Sequence, residues 1–280
     1  MKPRSVATVT AHRRIDGVVP GVRGQRAFPT QDRPVLDPFV MLDHIGPQRL
    51  EPGFFVDGVM HPHRGFETLT MMFEGQMHHV DSTGFREELR TGSTQNMIAG
   101  RGIQHGGSME ADADTHVFHE VQLWVNMPAS TKMRPPSISS AHAGDKPTID
   151  NSSHVVEVIT GSVDGRTSPL ETTQSTRIVR VLVRSEAQVV LESIPDGWTA
   201  AVYVLKGRAT VGGRDLSEFA LATFASDGDC VVIDSPAPGS ELLIVTGEPI
   251  GEPVAMGGPW VMNTRQELEQ ANADLADGLI

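Results

Sequence analysis

One cysteine, Cys230, is all the thiol chemistry in this chain of 280 residues. No internal disulfide can form, and a fold that needs none suits a reducing compartment, so cytoplasmic residence is the reading. Cys230 stands between Asp229 and Val231 with nothing electropositive beside it, and it reads as a small buried apolar residue rather than a reactive thiol. Long apolar runs are missing too. Met1-Lys2-Pro3-Arg4 leads into mixed polar sequence, and nowhere do apolar residues continue for the roughly 18 positions a membrane helix needs, so no membrane partner is expected. There is no long basic run, and the formal charge is −12, which argues against direct nucleic-acid binding because that depends on neutralising phosphates. Histidine is absent after His154, so a histidine metal site, if present, belongs to the N-terminal half.

The most informative stretch is His61-Pro62-His63-Arg64-Gly65-Phe66-Glu67-Thr68. Side chains of a β-strand alternate faces, so His61 and His63 point the same way and can reach one ion together. By the same count Glu67 shares their face, and it reads as a base or ligand or, equally, as an anchor for Arg64 or a neighbouring backbone group. His105 ends Ala99-Gly100-Arg101-Gly102-Ile103-Gln104-His105, where glycines allow a tight turn before a histidine, and it is the third candidate ligand. Three neutral imidazoles suit zinc, copper, iron or nickel. His44 reads as a hydrogen-bonded structural residue at a strand end. His78 and His79 point to opposite faces of their strand, which leaves room for one of them at most to face the site. His119 leads the alternating strand Glu120 to Asn126 and is taken as a site-lining residue. Arg101 reads as a surface loop residue.

Short strands separated by Gly-rich turns recur along both halves, the pattern of a sandwich or barrel rather than of alternating helix and strand. Residues 1–36 wrap the surface or add an early strand. The Pro-, Ser- and Gly-rich region beyond Met127 places a linker at 136–150 between units 1–135 and 151–280. Laying Gly65–Gly75 on Gly197–Gly207 aligns Thr70-Met71-Met72-Phe73-Glu74-Gly75 with Val202-Tyr203-Val204-Leu205-Lys206-Gly207, as two copies of one module would. Ser193 and Pro195 then fall where His61 and His63 stand, so the second copy lacks the ligands. Near the end, Thr264 three residues before Glu267 has capping-box spacing, and Leu268, Ala271 and Leu275 make the packing stripe of one short helix.

Five stretches carry a resemblance to the pirin family of the cupin superfamily: Asp37–Asp43, His61–Thr68, Ala99–His105, Gln122–Asn126 and Pro259–Thr264. The resemblance implies an all-β fold of two stacked cupin-type double-stranded β-helices with a short C-terminal helix. It also implies one divalent metal in the N-terminal unit, Fe(II) foremost, with Ni, Cu, Mn and Zn as alternatives. It further implies quercetin 2,3-dioxygenase-type activity on a flavonol-like small molecule or, in other members, a non-enzymatic metal- or redox-responsive role with a protein partner. Metal ligation by His61, His63 and His105 follows the family motif, and Glu67 is the candidate catalytic carboxylate that deprotonates the substrate. The family motif also carries a glutamate ligand two residues after the last histidine. Here that position is Gly107, so the fourth ligand is open between Glu67, Glu110 and water, and Gly107→Glu is expected to tighten metal binding if the backbone there does not need a positive φ.

Overall fold

The computed structural model describes residues 1–31, 35–234 and 236–280, so positions 32–34 of the N-terminal segment lie outside it. Strands hold 53% of the residues and helix 4%, in two seven-stranded antiparallel sheets with one helix at the C-terminus. The first sheet runs Ser137–Ala141, Thr94–Ile98, Phe66–Glu74, Val117–Asn126, Phe39–Arg49, Gly24–Phe28, Arg13–Ile15. The second runs Val6–Thr10, Leu221–Phe224, Thr199–Lys206, Glu241–Gly247, Thr176–Val183, His154–Thr160, Thr148–Asp150. Phe66–Glu74 and Thr199–Lys206 hold the third place in their respective sheets, the correspondence that the internal repeat predicts.

Strand periodicity explains how the sheets meet. In Phe66–Glu74, Leu69, Met71 and Phe73 face the second sheet and pack with Ile178, Ala201, Tyr203, Leu243 and Val245. Phe66 and Met72 face the other way, into the N-terminal barrel. Both faces are therefore buried, which is why Leu69-Thr70-Met71-Met72-Phe73 reads as a nearly unbroken apolar run. The far wall of the N-terminal barrel is a four-stranded sheet, Phe55–His63, Ile103–Glu110, Gln76–Asp81, Arg86–Arg90. The C-terminal barrel closes around its own valine-rich core, with Val179, Val181, Val202, Val231 and Ile244 buried.

The ends of the chain cross over. Val6–Thr10 pairs with Leu221–Phe224 in the second sheet, and the Arg4 guanidinium bonds to backbone carbonyls of Pro195, Trp198 and Gly228. The tail lies instead on the N-terminal barrel: Trp260 bridges to Arg64, Arg64 pairs with Asp274 at 2.7 Å, and the Ile280 carbonyl accepts from Gln104 at 2.6 Å. Residues 136–150 also differ from a plain linker. Ser137–Ala141 pairs with Thr94–Ile98 and Thr148–Asp150 with His154–Thr160, so each sheet takes an edge strand from this stretch. Edge strands have one free side and tolerate short, polar sequence, which is why serines and threonines hid them. The helix Arg265–Ala276 starts as its sequence predicts, with the Thr264 hydroxyl accepting from Glu267 N and the Glu267 carboxylate accepting from Thr264 N. No helix among the described residues is long and apolar enough to cross a membrane.

Candidate metal centre

Two antiparallel strands bring the three histidines together. His61 and His63 lie on Phe55–His63, and in register His105 sits opposite His61 while Ile103 sits opposite His63. Residues facing across such a pair share a face, so the imidazole of His105 joins the two already projecting from its neighbour. Their ring centroids lie 4.3 to 5.0 Å apart, and one nitrogen from each falls within 4.8 Å of the others. Two rings are held from behind: His61 Nδ1 donates to the Val59 carbonyl at 3.0 Å and His63 Nδ1 to the Pro259 carbonyl at 3.4 Å. A carbonyl only accepts, so both hydrogen bonds put the proton on Nδ1 and leave Nε2 with a free lone pair.

Electrostatics favour the same state. Burial, and then the neighbouring His61, push His63 down to about 3. Burial likewise holds His105 well below the ordinary histidine range, with His63, His61 and His79 adding to the effect. His63 and His105 are therefore neutral in ordinary buffers, as metal binding requires. His105 Nε2 is buried without a hydrogen-bond partner, an orphaned acceptor or donor of the kind a bound ion satisfies. The donor set present thus fits a divalent transition metal.

Other sequence candidates fall in different places. Gly65, at φ +88°, turns the chain between His63 and Phe66, and the alternation counted through the turn is lost. Phe66 faces the histidines, its ring 5.1 Å from His63, and Glu67 therefore faces the second sheet. There it is fully buried, accepting from Asn96 Nδ2 at 2.9 Å and from Thr173 N at 2.5 Å. Burial raises its pKa while these hydrogen bonds oppose the rise. The geometry makes Glu67 an anchor between the sheets, not a neighbour of the histidines. His119 also faces the seam, its Nε2 2.7 Å from His44 Nε2, and His44 Nδ1 lies 3.2 Å from the Tyr203 hydroxyl. His44 is thus the hydrogen-bonded structural residue read from sequence. His79 is the member of its pair that faces inward, its ring 5.3 Å from His105 and its Nε2 3.1 Å from Asp81, while His78 pairs with Glu110 on the outer side. Arg101 is exposed.

Gly107 has φ +137°, and a Cβ built there would lie 1.6 Å from the His78 carbonyl oxygen. Across from it, a Cβ on Gly58 would meet the Gly107 carbonyl oxygen at 2.4 Å. The strands approach so closely that neither glycine can take a side chain, which overturns the expectation that Gly107→Glu would simply restore a ligand. Glu110 does not reach back either, because its carboxylate accepts from Gln76 Nε2 at 2.6 Å and faces His78.

A cavity of about 110 Å³ adjoins His61 and His105, with Thr70, Glu120 and Gln122 on the opposite wall and Gly107 beside them. Glu120 is 1% exposed, and its Oε2 has no hydrogen-bond partner. Burial, and then the nearby Asp43 carboxylate, push it up to about 7. Sequence reading passed over this residue, since in Glu120-Val121-Gln122-Leu123 the polar positions look like a solvent face. The apolar positions are in fact taken by the sheet-to-sheet seam, which turns the polar ones into the barrel.

Residues 21–125 match the family model described as Pirin, and residues 178–279 match the one described as Pirin C-terminal cupin domain. This chain belongs to the pirin family. Pirin of Homo sapiens is 34% identical over 272 residues, covering 95% of this chain and 90% of the human protein. Pirin-1 of Arabidopsis thaliana is 34% identical over 249 residues, covering 87% and 83% of the two chains. Among solved structures, a quercetin 2,3-dioxygenase from Acinetobacter baumannii superposes with a TM-score of 0.90 at 29% identity, covering 99% of this pirin and 98% of that chain. In this pirin His154 is the single histidine of the second cupin unit, so among the described residues the three-imidazole cluster belongs to the first.

Proposed function

We propose that this pirin is a quercetin 2,3-dioxygenase-type oxidoreductase with one divalent metal, Fe(II) foremost, held by His61, His63 and His105. The observation that carries the reading is the convergence of three imidazole nitrogens within 4.8 Å of one another at the edge of an internal cavity. Similarity to the Acinetobacter dioxygenase over nearly the whole chain supports it. When bound, the metal would supply Lewis acidity and electron transfer toward dioxygen.

The chain's own residues do the rest. Val59 and Pro259 carbonyls orient two of the rings. The cavity volume of about 110 Å³ is below the roughly 300 Å³ of ordinary small-molecule pockets. Only the chelating, oxygen-bearing edge of a flavonol enters it, and the ring system lies outside against the exposed Val18 and Val59 at the mouth. Apolar walls formed by Val19, Ile45 and Met77 keep bulk water from the inner side. The test is elemental analysis of protein purified without added metal, anaerobic Fe(II) titration, and a flavonol turnover assay on the same sample. Metal bound in the N-terminal barrel with turnover supports the reading; turnover unaffected by chelation refutes it.

A second reading, a metal-responsive protein-binding module, is favoured by one contact. His63 bonds to Pro259, and that segment leads directly into the surface helix Arg265–Ala276, so ring orientation at the site is coupled to an outer surface. Metal-dependent hydrogen exchange in residues 255–280 without flavonol turnover is the result that would select it.

A further inference from the structure

The cavity wall carries an acid that packing does not account for. Glu120 lies in the middle of Val117–Asn126, its backbone paired with Met72 on one side and Ile45 on the other, and its side chain borders the same space as His61 and His105. A glutamate kept for structure is held by donors, as Glu67 is by Asn96 and Thr173. Glu120 has no ion pair among the described residues, and its Oε2 is left without a donor. The nearest charged couple is already complete, since Arg26 donates to both Asp43 oxygens at 2.6 Å each. Glu120 is not one of the groups that converge within 4.8 Å, so it borders the ligand space without belonging to that cluster. A buried carboxyl with a free oxygen costs stability, and its position beside a ligand cavity gives that cost a use.

We propose that Glu120 is the proton acceptor of this cavity, serving protic small ligands of the enol or phenol class that bind beside His61 and His105. The inference rests on the ligand space of the proposed function and deepens it by naming the carboxylate and the ligand property it selects. In the step, the ligand O–H bond breaks, the proton forms a new O–H bond with Glu120 Oε2, and the ligand oxygen keeps the electron pair as an anion. Reversal returns the proton to the departing product. Burial raises Glu120 to about 7, where carboxylate and carboxylic acid interconvert readily near neutral pH, as a general base requires. Glu67 and Glu110 cannot take this role, because their oxygens are committed to the seam and to Gln76 and His78.

The experiment titrates 4-nitrocatechol, a chromophoric chelator whose protonated and anionic forms differ in visible absorption, into metal-loaded and metal-free protein between pH 5 and 9. Wild type, Glu120→Gln, Glu120→Asp and the outer-face control Glu110→Gln are compared, with thermal unfolding confirming that each is folded. Bound probe should lose its proton at lower pH in wild type than in Glu120→Gln, by about one pH unit or more, equivalent to roughly tenfold weaker binding at neutral pH. At pH 9, where the free probe and Glu120 are both ionised, wild type should lose its advantage and bind no more tightly than Glu120→Gln; Glu120→Asp should recover part of the difference at neutral pH and Glu110→Gln should match wild type throughout. An unchanged profile in both Glu120 variants overturns the proposal. So does wild-type protein that holds metal but binds no probe at any pH, a result that leaves the metal assignment standing. Glu120-dependent deprotonation in protein that retains no metal supports the proposal and overturns the metal part of the proposed function. If neither metal nor probe binds, both fall.

Discussion

Gly107→Glu tests whether the missing carboxylate ligand can be restored by one side chain, and the structure says that it cannot. A Cβ at this position meets the His78 carbonyl oxygen at 1.6 Å and the carbonyl carbon at 2.7 Å. Ordinary contact lies at 3.4–4 Å, and the obstructing atoms are backbone, so no rotamer change relieves the overlap. The strand Ile103–Glu110 would have to move roughly 2 Å away from Gln76–Asp81 to restore normal contact distances. A shift of that size costs one or two ladder hydrogen bonds at about 1 kcal/mol each. A side chain held at φ +137° adds about 1–3 kcal/mol more, and the loss should total about 2–5 kcal/mol. Because Cβ is the cause, Gly107→Ala should lose nearly as much as Gly107→Glu. Urea denaturation followed by circular dichroism measures both, and anaerobic calorimetry with Fe(II) measures the metal, whose affinity should fall as the His105 strand is displaced. A Gly107→Glu protein as stable as wild type that binds Fe(II) more tightly would refute the reasoning.

Other perturbations separate site from scaffold. His63→Ala removes an inward imidazole and should weaken Fe(II) binding by roughly 100-fold or more in calorimetric titration, since even outer-shell changes cost tenfold to 100-fold; unchanged affinity would make the His-Pro-His strand a relic. Glu67→Ala leaves the buried Asn96 amide and Thr173 N–H without their acceptor and should cost about 2–4 kcal/mol in urea titration, with metal affinity in the folded protein unchanged. Glu120 predicts a pH dependence of metal-free stability. Its folded pKa, about 7, lies above the ordinary 4.5, so its contribution is fully present below pH 4.5 and is lost as pH rises through about 7. The loss amounts to about 3 kcal/mol. Glu120→Gln should abolish it, gaining that much over wild type at pH 8 and almost nothing at pH 4.5, as denaturation series at the two pH values will show.

Much of this pirin was legible before folding. The alternation of a strand puts His61 and His63 on one face whatever surrounds them, and glycines before His105 mark the turn that brings a third ring. The offset between the Gly65 and Gly197 segments announces two copies of one sheet, and Thr264 with Glu267 announces the helix start. These are relations between residues a few positions apart, or between similar segments, and local backbone geometry enforces them. Glu67, Glu120 and Gly107 depend on other information. Alternation says which residues share a face, but not whether that face meets water, a cavity or a second sheet. One turn at Gly65 reversed the assignment for Glu67, and the packing of the sheets turned the polar face of Glu120 and Gln122 inward. At Gly107 it is the approach of His78, from a strand nearly thirty residues earlier, that forbids a side chain. The edge strands at 137–141 and 148–150, the crossing of the first strand into the second sheet, and the docking of the tail on the first barrel were likewise decided by contacts far apart in the chain. Such contacts are selected by the apolar area the assembled sheets bury together, a quantity that no short stretch of sequence contains.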